Sequence, residues 1–232
     1  MTPVLIACSH GTSSLEGRAA IAGVVSRVRE MLPGVQVEEA FVDVQEPEID
    51  TVVAGVPPGA ASVVVPLLLS TGFHTRVDIA RAVAAAPGPC VATPALGPHD
   101  LLAGLLAERL RAAGLAAGDA APGDEAVVLA AAGSSDPAAE VDVMAMAELL
   151  TAHLGMPVSV GFAAGAGIRI GVAVEAARAT GATRVFAASY VLAPGHFAGV
   201  IANAGADIVT EPLAPDDAVA AVVVERYRAA LR

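Results

Sequence analysis

Short apolar segments alternate along this chain with segments whose apolar residues recur at helical spacing. In the first half, four runs rich in Val, Leu and Ile predict strands near residues 3–9, 35–42, 61–69 and 90–94. The segment from 15 to 32 carries one apolar stripe with its charged residues mostly off it, which predicts an amphipathic helix. Further helices are predicted near residues 47–55, 75–85 and 99–113. Such alternation is typical of βα units built around a parallel sheet.

The second half of the chain repeats the first. His-Gly-Thr at 10–12 is matched by Ala-Gly-Ser at 132–134, and Gly-Phe-His at 72–74 by Pro-Gly-His at 194–196, both 122 positions later. Strands are predicted again near residues 126–131, 157–163, 184–191 and 207–211, followed by a closing helix near 215–231. A repeat of this length indicates two copies of one domain, since a solenoid would need a period of roughly 20–50 residues.

The predicted fold is α/β, with two similar doubly wound domains, each a four-stranded parallel sheet flanked by helices, related by a pseudo-two-fold. Residues 1–115 form the first domain, which keeps both histidines of the repeat and is therefore expected to carry the active site. Residues 116–125, rich in Gly, Ala, Asp and Pro, form the linker. Residues 126–232 form a degenerate second copy of the same fold.

Composition and charge exclude several kinds of function. All thirteen basic residues are arginine, so the chain lacks the lysine of a phosphate-binding loop, a Schiff base or a protein kinase. Because 24 acidic residues bring the formal net charge to −11, nucleic-acid binding is disfavoured and a metal cation would be attracted. The two cysteines form no CxxC pair, so neither a disulfide scaffold nor a zinc ribbon is expected, and a reducing cytoplasm fits. No apolar run reaches the roughly 18 residues of a membrane span.

Polar side chains follow each of the four predicted strands of the first domain. They are His10, Asp43, His74 and His99. Because open parallel sheets bind ligands beyond the carboxyl ends of their strands, we expect these residues at one edge, as candidate metal ligands or catalysts. If the two domains face each other, His196 would approach the same cleft, which predicts an active site between the domains.

Each candidate also has a purely structural interpretation. His10 would then belong to the turn after its strand, and His74 to the start of a helix. Asp43 would be a helix cap, with Glu39 or Glu46 as the functional carboxylate. The residues alone leave these alternatives open.

Neighbouring residues are assigned either to structure or to substrate binding. A structural N-cap is favoured for His99, because Asp216 replaces it in the second half. Thr12 and Ser13 offer hydroxyls and backbone N–H groups at a predicted helix start, a place that receives carboxylates or phosphates. Arg76 is a further candidate partner for a substrate carboxylate.

Two known sequence motifs are matched only in part. GAGIRIG at 165–171 is one residue off the dinucleotide fingerprint GxGxxG, with Ile170 in place of the third glycine and no ribose-binding acid at the right place. Histidine phosphatases carry Arg immediately before the histidine of their phosphohistidine motif, where this chain has Ser9. Neither function is therefore favoured.

The ordered set of motifs resembles the class II chelatases, in particular the sirohydrochlorin cobalto- and ferrochelatases of the CbiX and SirB type in their long, two-domain form. The motifs are His-Gly-Thr at 10–12, Asp43, Pro-Leu-Leu-Leu at 66–69 leading through Gly to His74, and Pro-Ala-Leu-Gly at 94–97. The resemblance covers the whole chain. The family commonly has the longer Glu where this chain has Asp43, and in the second copy Ala132 and Gly165 stand at the places of His10 and Asp43.

The resemblance implies a lyase that inserts Fe²⁺ or Co²⁺ into the tetrapyrrole sirohydrochlorin, in siroheme or cobalamin biosynthesis. His10 and His74 would bind the metal and accept the pyrrole protons, with Asp43 as auxiliary ligand or base and His196 in substrate binding. The metal is a substrate, so no permanent cofactor is expected, and a monomer suffices. The alternative is a non-catalytic tetrapyrrole- or metal-binding carrier of the same fold.

Overall fold

The computed structural model describes residues 2–70, 72–116 and 124–232, and for residues 73–76 the backbone alone. The strands are β1 (Val4–Ser9), β2 (Val37–Phe41), β3 (Ser62–Pro66), β4 (Cys90–Ala92), β5 (Glu125–Ala131), β6 (Val158–Phe162), β7 (Arg184–Tyr190) and β8 (Ile208–Val209). The helices are α1 (Leu15–Met31), α2 (Ile49–Ala54), α3 (Phe73–Ala84), α4 (Asp100–Ala112), α5 (Pro137–Leu154), α6 (Ile170–Ala179), α7 (His196–Ala202) and α8 (Asp217–Ala229). Their strict alternation confirms the predicted βα units. Within these residues no helix combines the length and the apolarity needed to cross a membrane.

The strands form two four-stranded sheets in which the neighbouring strands are parallel. The order is β2-β1-β3-β4 in the first sheet and β6-β5-β7-β8 in the second. In each sheet the chain adds a strand on one side of the first strand and then crosses to the other side. The strand order therefore reverses beside β1 in one sheet and beside β5 in the other, and doubly wound folds bind ligands at the carboxyl end of such a point. The predicted α/β class, with two four-stranded parallel sheets flanked by helices, is confirmed.

The first sheet is covered by buried aliphatic side chains from its flanking helices. Alternate residues of β1, including Ile6 and Cys8, point to one face and pack with Ile49 of α2 and Ile79 of α3. Burial raises the pKa of the Cys8 thiol from its ordinary value of 9.0 to about 12, and the nearby negative charge of Asp78 acts in the same direction. The thiol is therefore a neutral part of the core at physiological pH.

The chain divides into two compact units, each of which takes one helix from the other half of the sequence. Unit 1 comprises Met1–Leu96 and Ala214–Arg232, so α8 belongs to it and packs against α1 and β3. The Arg226 guanidinium on α8 donates hydrogen bonds to the carbonyl oxygens of Ala95 and Leu96, both at 3.1 Å. These bonds fix the helix to the segment that follows the fourth strand of the sheet.

Unit 2 comprises Gly97–Leu213, so α4 belongs to it and packs against α5 and β7. Arg109 on α4 repeats the role of Arg226. Its guanidinium donates to the carbonyl oxygens of Glu211 at 2.9 Å, of Leu213 at 3.0 Å, and of Pro212. The same arginine contact therefore fastens the exchanged helix in both units.

The compact units differ from the predicted domains, 1–115 and 126–232, by the exchange of one helix each. The predicted boundaries follow the sequence repeat, which reports related segments and carries no information about which sheet a helix covers. Of the predicted linker, residues 117–123 lie outside the described residues.

Candidate active site

His10 and Asp43 lie at the tips of two neighbouring strands of unit 1. His10 directly follows β1, and Asp43 comes two residues after β2. A backbone hydrogen bond joins the two loops, in which the Asp43 N–H donates to the His10 carbonyl oxygen at 3.0 Å. Both residues are exposed. The structure therefore brings these two predicted site residues together at the edge where ligands of this fold class bind.

Gly11 permits the close approach of these two loops. Its φ of +93° lies in the left-handed region, and a Cβ atom added here would stand 2.1 Å from the carbonyl oxygen of Asp43. The Thr12 N–H donates to Oε1 of Gln45 at 2.9 Å, which adds a second link between the loops. Gln45 is not among the predicted site residues, because an isolated glutamine in a loop gives no signal in the sequence.

The hydroxyl-rich loop after β1 leads into the first turn of α1. Ser14 is the N-cap, and its hydroxyl accepts the Gly17 N–H at 3.1 Å. The Thr12 hydroxyl accepts the Ser14 N–H at 3.1 Å, and the Thr12 carbonyl oxygen accepts a hydrogen bond from Arg18 Nε at 2.8 Å. Thr12 thus shapes the loop, while Ser13 is exposed beside it.

Asp43 begins a tight, strained turn. Its Oδ1 accepts the Val44 N–H at 2.7 Å, and its carbonyl oxygen accepts the Gln45 N–H at 2.7 Å. Between them Val44 has a φ of 64°, the only positive value for a non-glycine residue within the described residues. Three-residue turns with this sign of φ are rare and strained, and a β-branched residue increases the strain. The backbone beside the candidate carboxylate is therefore closely defined.

The two other candidate carboxylates lie elsewhere. Glu39 sits inside β2 opposite Ala7, two residues before the strand ends, and partial burial raises the pKa of its carboxyl. Glu46 accepts the Glu48 N–H at 3.0 Å, next to the start of α2. Among these three, Asp43 is the residue whose backbone N–H is bonded to the carbonyl oxygen of His10, at the tip of β1.

His74 and Arg76 are the second and fourth residues of α3, which begins at Phe73 after the N-cap Gly72. Their side chains lie outside the described residues, so the pairing of His74 with His10 stays a prediction. Among the side chains that the structure describes, no three His, Cys, Asp or Glu residues group as a metal site.

Unit 2 repeats the backbone of this edge without its chemistry. Ala132 takes the place of His10, and the Ala164 N–H donates to the Ala132 carbonyl oxygen at 2.8 Å, as the Asp43 N–H does to His10. The counterpart of Asp43 is therefore Ala164, and the expectation that Gly165 takes this place is wrong by one residue. The backbone hydrogen bonds identify Ala164 as the counterpart of Asp43. Residue spacing along the sequence does not show the one-residue difference.

His196 lies at the corresponding edge of unit 2. It is the first residue of α7, directly after the N-cap Gly195, whereas His74 is the second residue of α3. The positions of the two histidines within their helices therefore differ by one residue. His196 is exposed, and its ring centroid lies 5.3 Å from that of Phe197 in an edge-on arrangement.

The structural interpretation of His99 is confirmed. It is the N-cap of α4, and its Nδ1 accepts the Leu101 N–H at 3.2 Å. Asp216 does the same for α8, where its carboxylate accepts the Ala218 N–H at 2.9 Å. The same N-cap position of the repeat is thus occupied by His in the first half and by Asp in the second.

Comparison with known families decides the relationship. The CbiX family model matches residues 4–113 and 126–230, which together span nearly the whole chain. The chain belongs to the CbiX family. Its two matched segments coincide with the two halves of the CbiX-type repeat seen in the sequence.

Solved structures share the fold of this CbiX-family chain. SirB from Bacillus subtilis with Fe³⁺ is 21% identical, with 98% of this chain and 95% of that chain covered and a TM-score of 0.81. The sirohydrochlorin chelatase SirB from Bacillus subtilis subspecies spizizenii, in complex with cobalt, is 20% identical, with 98% and 94% covered and a TM-score of 0.74. CbiX, the terminal enzyme for siroheme biosynthesis in denitrifying bacteria, is 21% identical, with 99% and 100% covered and a TM-score of 0.68. No curated protein sequence matches the chain significantly.

Proposed function

We propose that this CbiX-family protein is a sirohydrochlorin chelatase, a lyase that inserts Fe²⁺ or Co²⁺ into sirohydrochlorin in siroheme or cobalamin biosynthesis. The observation that carries the proposal is the hydrogen bond between strand tips, which joins the loops of an imidazole and a carboxylate, His10 and Asp43, at the ligand edge of the sheet. The SirB structures with iron and with cobalt support a metal ion as one substrate. The siroheme role of the related CbiX supports a tetrapyrrole as the other.

Metal insertion needs groups that hold a partly dehydrated ion and groups that accept two pyrrole protons. Neutral imidazole can do both. The His10 Nδ1 lies 3.4 Å from the Gly11 carbonyl oxygen, and a carbonyl oxygen can only accept. This contact therefore favours the tautomer with the proton on Nδ1, whose Nε2 lone pair can take a metal or a proton. His74, at the start of the helix after β3, is proposed as the second imidazole.

Asp43 is proposed as an auxiliary metal ligand or proton acceptor. Its Oδ1 is oriented by the Val44 N–H within the tight turn. A carboxylate has a second oxygen that can accept a proton or contact a divalent ion. The carboxylate would thus add negative charge beside the neutral imidazoles and favour binding of the cation.

Binding of the substrate's carboxylates is assigned to Thr12, Ser13, Arg76 and His196. The net charge of −11 repels a polyanion at long range, so local donors of this kind must supply the affinity. We further propose that the metal is consumed as substrate without a permanent cofactor, that the protein acts in the cytoplasm, and that a monomer suffices.

The test is to mix the protein with sirohydrochlorin and Fe²⁺ or Co²⁺ and to follow the visible spectrum. Wild type should convert the spectrum faster than the uncatalysed reaction, and His10→Ala and His74→Ala should each lower the rate about 100-fold or more. His153→Ala is the matched control, because His153 lies at the end of α5 and pairs with Asp100 at 2.8 Å. It should keep the wild-type rate.

The outcomes separate the chelatase from the carrier. Equal rates for wild type, His10→Ala and His74→Ala would remove the catalytic assignment. Tetrapyrrole or metal binding without spectral conversion would instead identify a carrier of the same fold.

A further inference from the structure

Val44 has a conformation that the fold alone does not explain. Its φ of 64° lies in the left-handed region, where a β-branched side chain is strained. The residue is 51% exposed, so core packing offsets little of that strain. Strained residues persist where the surrounding structure holds them, and they concentrate at functional sites.

Unit 2 shows that this turn needs no side chain. The bond from Ala164 to Ala132 sets the register, which makes Gly165 the counterpart of Val44, and Gly165 has a φ of 84°. Glycine adopts this conformation without steric cost. The valine of unit 1 therefore supplies something that glycine lacks, and the part it adds is an exposed isopropyl group.

The isopropyl group belongs to a residue held directly beside the candidate metal and proton groups. The Val44 N–H is bonded to Asp43 Oδ1 at 2.7 Å, and the Asp43 N–H is bonded to the His10 carbonyl oxygen at 3.0 Å. The turn also packs on Gly11, where an added Cβ would stand 3.3 Å from the Gln45 nitrogen. These contacts hold the valine at the ligand edge of the sheet.

We propose that Val44 is a substrate-binding residue whose isopropyl group packs against the apolar face of the tetrapyrrole macrocycle at the ligand edge that carries His10 and Asp43. The inference rests on the proposed chelatase function. A conjugated macrocycle carries charge on its peripheral carboxylates and presents apolar faces, so hydrophobic contact suits the faces. A side chain held by a rigid turn binds a ring more tightly than one on a mobile loop, because less ordering is needed on binding.

Three substitutions separate the apolar contact from the shape of the turn. Val44→Gly and Val44→Asn adopt positive φ more readily than valine but remove the apolar surface. We expect a Tm equal to or above that of wild type, a KM for sirohydrochlorin raised about 10-fold, and a kcat changed less than about 2-fold. Val44→Leu keeps an apolar side chain and should hold KM within about 2-fold of wild type.

Val91→Asn is the matched control, because Val91 lies in β4 and is 49% exposed, close to the 51% of Val44. It should leave KM unchanged. If wild type metallates sirohydrochlorin but KM does not distinguish Val44→Leu from the glycine and asparagine variants, or rises only where Tm falls, the inference is overturned and the function stands. If wild type neither binds nor metallates sirohydrochlorin, both are overturned.

Discussion

The carboxyl edges of the two sheets share a backbone and differ in chemistry. Each has a glycine with positive φ, Gly11 or Gly133, at which an added Cβ would stand 2.1 Å from a carbonyl oxygen of the neighbouring loop. The histidine and aspartate of unit 1 have alanines as counterparts in unit 2, Ala132 and Ala164. Because unit 2 builds the edge with alanine at both places, neither polar side chain is required for the fold. Their presence in unit 1 is therefore best explained by function.

Copying the chemistry of unit 2 into unit 1 gives the largest expected effect. The double substitution His10→Ala and Asp43→Ala should lower the rate of sirohydrochlorin metallation about 100-fold or more. The free energy of unfolding, measured in urea, should change by less than about 1 kcal/mol, since neither side chain is buried. Ala132→His, at the matching place in unit 2, should leave the rate within about 2-fold, because Ala164 at the place of Asp43 supplies no carboxylate. A double variant with the wild-type rate would show that the two edges do not differ in function.

Alanine at the two edge glycines should lower stability equally. Gly11→Ala and Gly133→Ala each force a side chain into positive φ and against a carbonyl oxygen, so we expect each to lose about 2–4 kcal/mol of unfolding free energy. Gly34→Ala is the matched control, because Gly34 has a φ of +88° with nothing within 4 Å of an added Cβ. It should lose only about 1–2 kcal/mol. Clearly unequal losses at Gly11 and Gly133 would mean that the edges do not share one scaffold.

The Gly11→Ala and Gly133→Ala variants also distinguish an effect on the backbone scaffold from an effect on catalysis. Once each variant is compared at equal folded fraction, the rate of metallation should fall for Gly11→Ala alone, because only its neighbouring loop carries Asp43. A matching fall for Gly133→Ala would assign part of the chemistry to unit 2.

The elements and the sheets could be predicted because hydrophobic periodicity is a local signal. The strand predicted for residues 3–9 is Val4–Ser9 in the structure, and the helix predicted for residues 15–32 is Leu15–Met31. The meeting of strand tips follows from the parallel order of the sheet. The exchange of helices could not be predicted, because an apolar stripe does not specify which sheet it will cover.

The strained turn at Val44 could not be predicted from the sequence either. Valine is not a turn residue, so nothing marks Val44 as left-handed, and its glycine counterpart can be recognised only once hydrogen bonds fix the register of unit 2. The side chains of His74 and Arg76 lie outside the described residues, so their place in the site remains a prediction from the sequence.

Arg226→Ala and Arg109→Ala test the exchange of helices. Each guanidinium donates to carbonyl oxygens of the unit that its helix completes, so its removal should lower the unfolding free energy by about 1.5–3 kcal/mol. Arg226→Lys should recover only part of the loss, because lysine lacks the planar fork of donors. Hydrogen exchange assigns the effect: Arg226→Ala should reduce amide protection in β1 and β3, and Arg109→Ala in β5 and β7. The reverse assignment would contradict the exchange.

The smallest expected difference between the two units is a loss of stability at alkaline pH that the Cys8 thiol of unit 1 causes. Burial raises the pKa of the Cys8 thiol from 9.0 to about 12, so the folded state disfavours the thiolate that the unfolded chain forms readily. The associated stability is present in full below pH 9 and is lost as the pH rises from about 9 toward 12, a loss on the order of 1 kcal/mol at pH 10. Cys8→Ala gives unit 1 the alanine that unit 2 has at this strand position, Ala130, and should make unfolding less sensitive to pH over this range.

Burial also raises the pKa of Tyr190 in unit 2, so a weaker alkaline loss should persist in the variant. Identical pH dependence of wild type and Cys8→Ala would show that the thiol ionises in the folded core without cost.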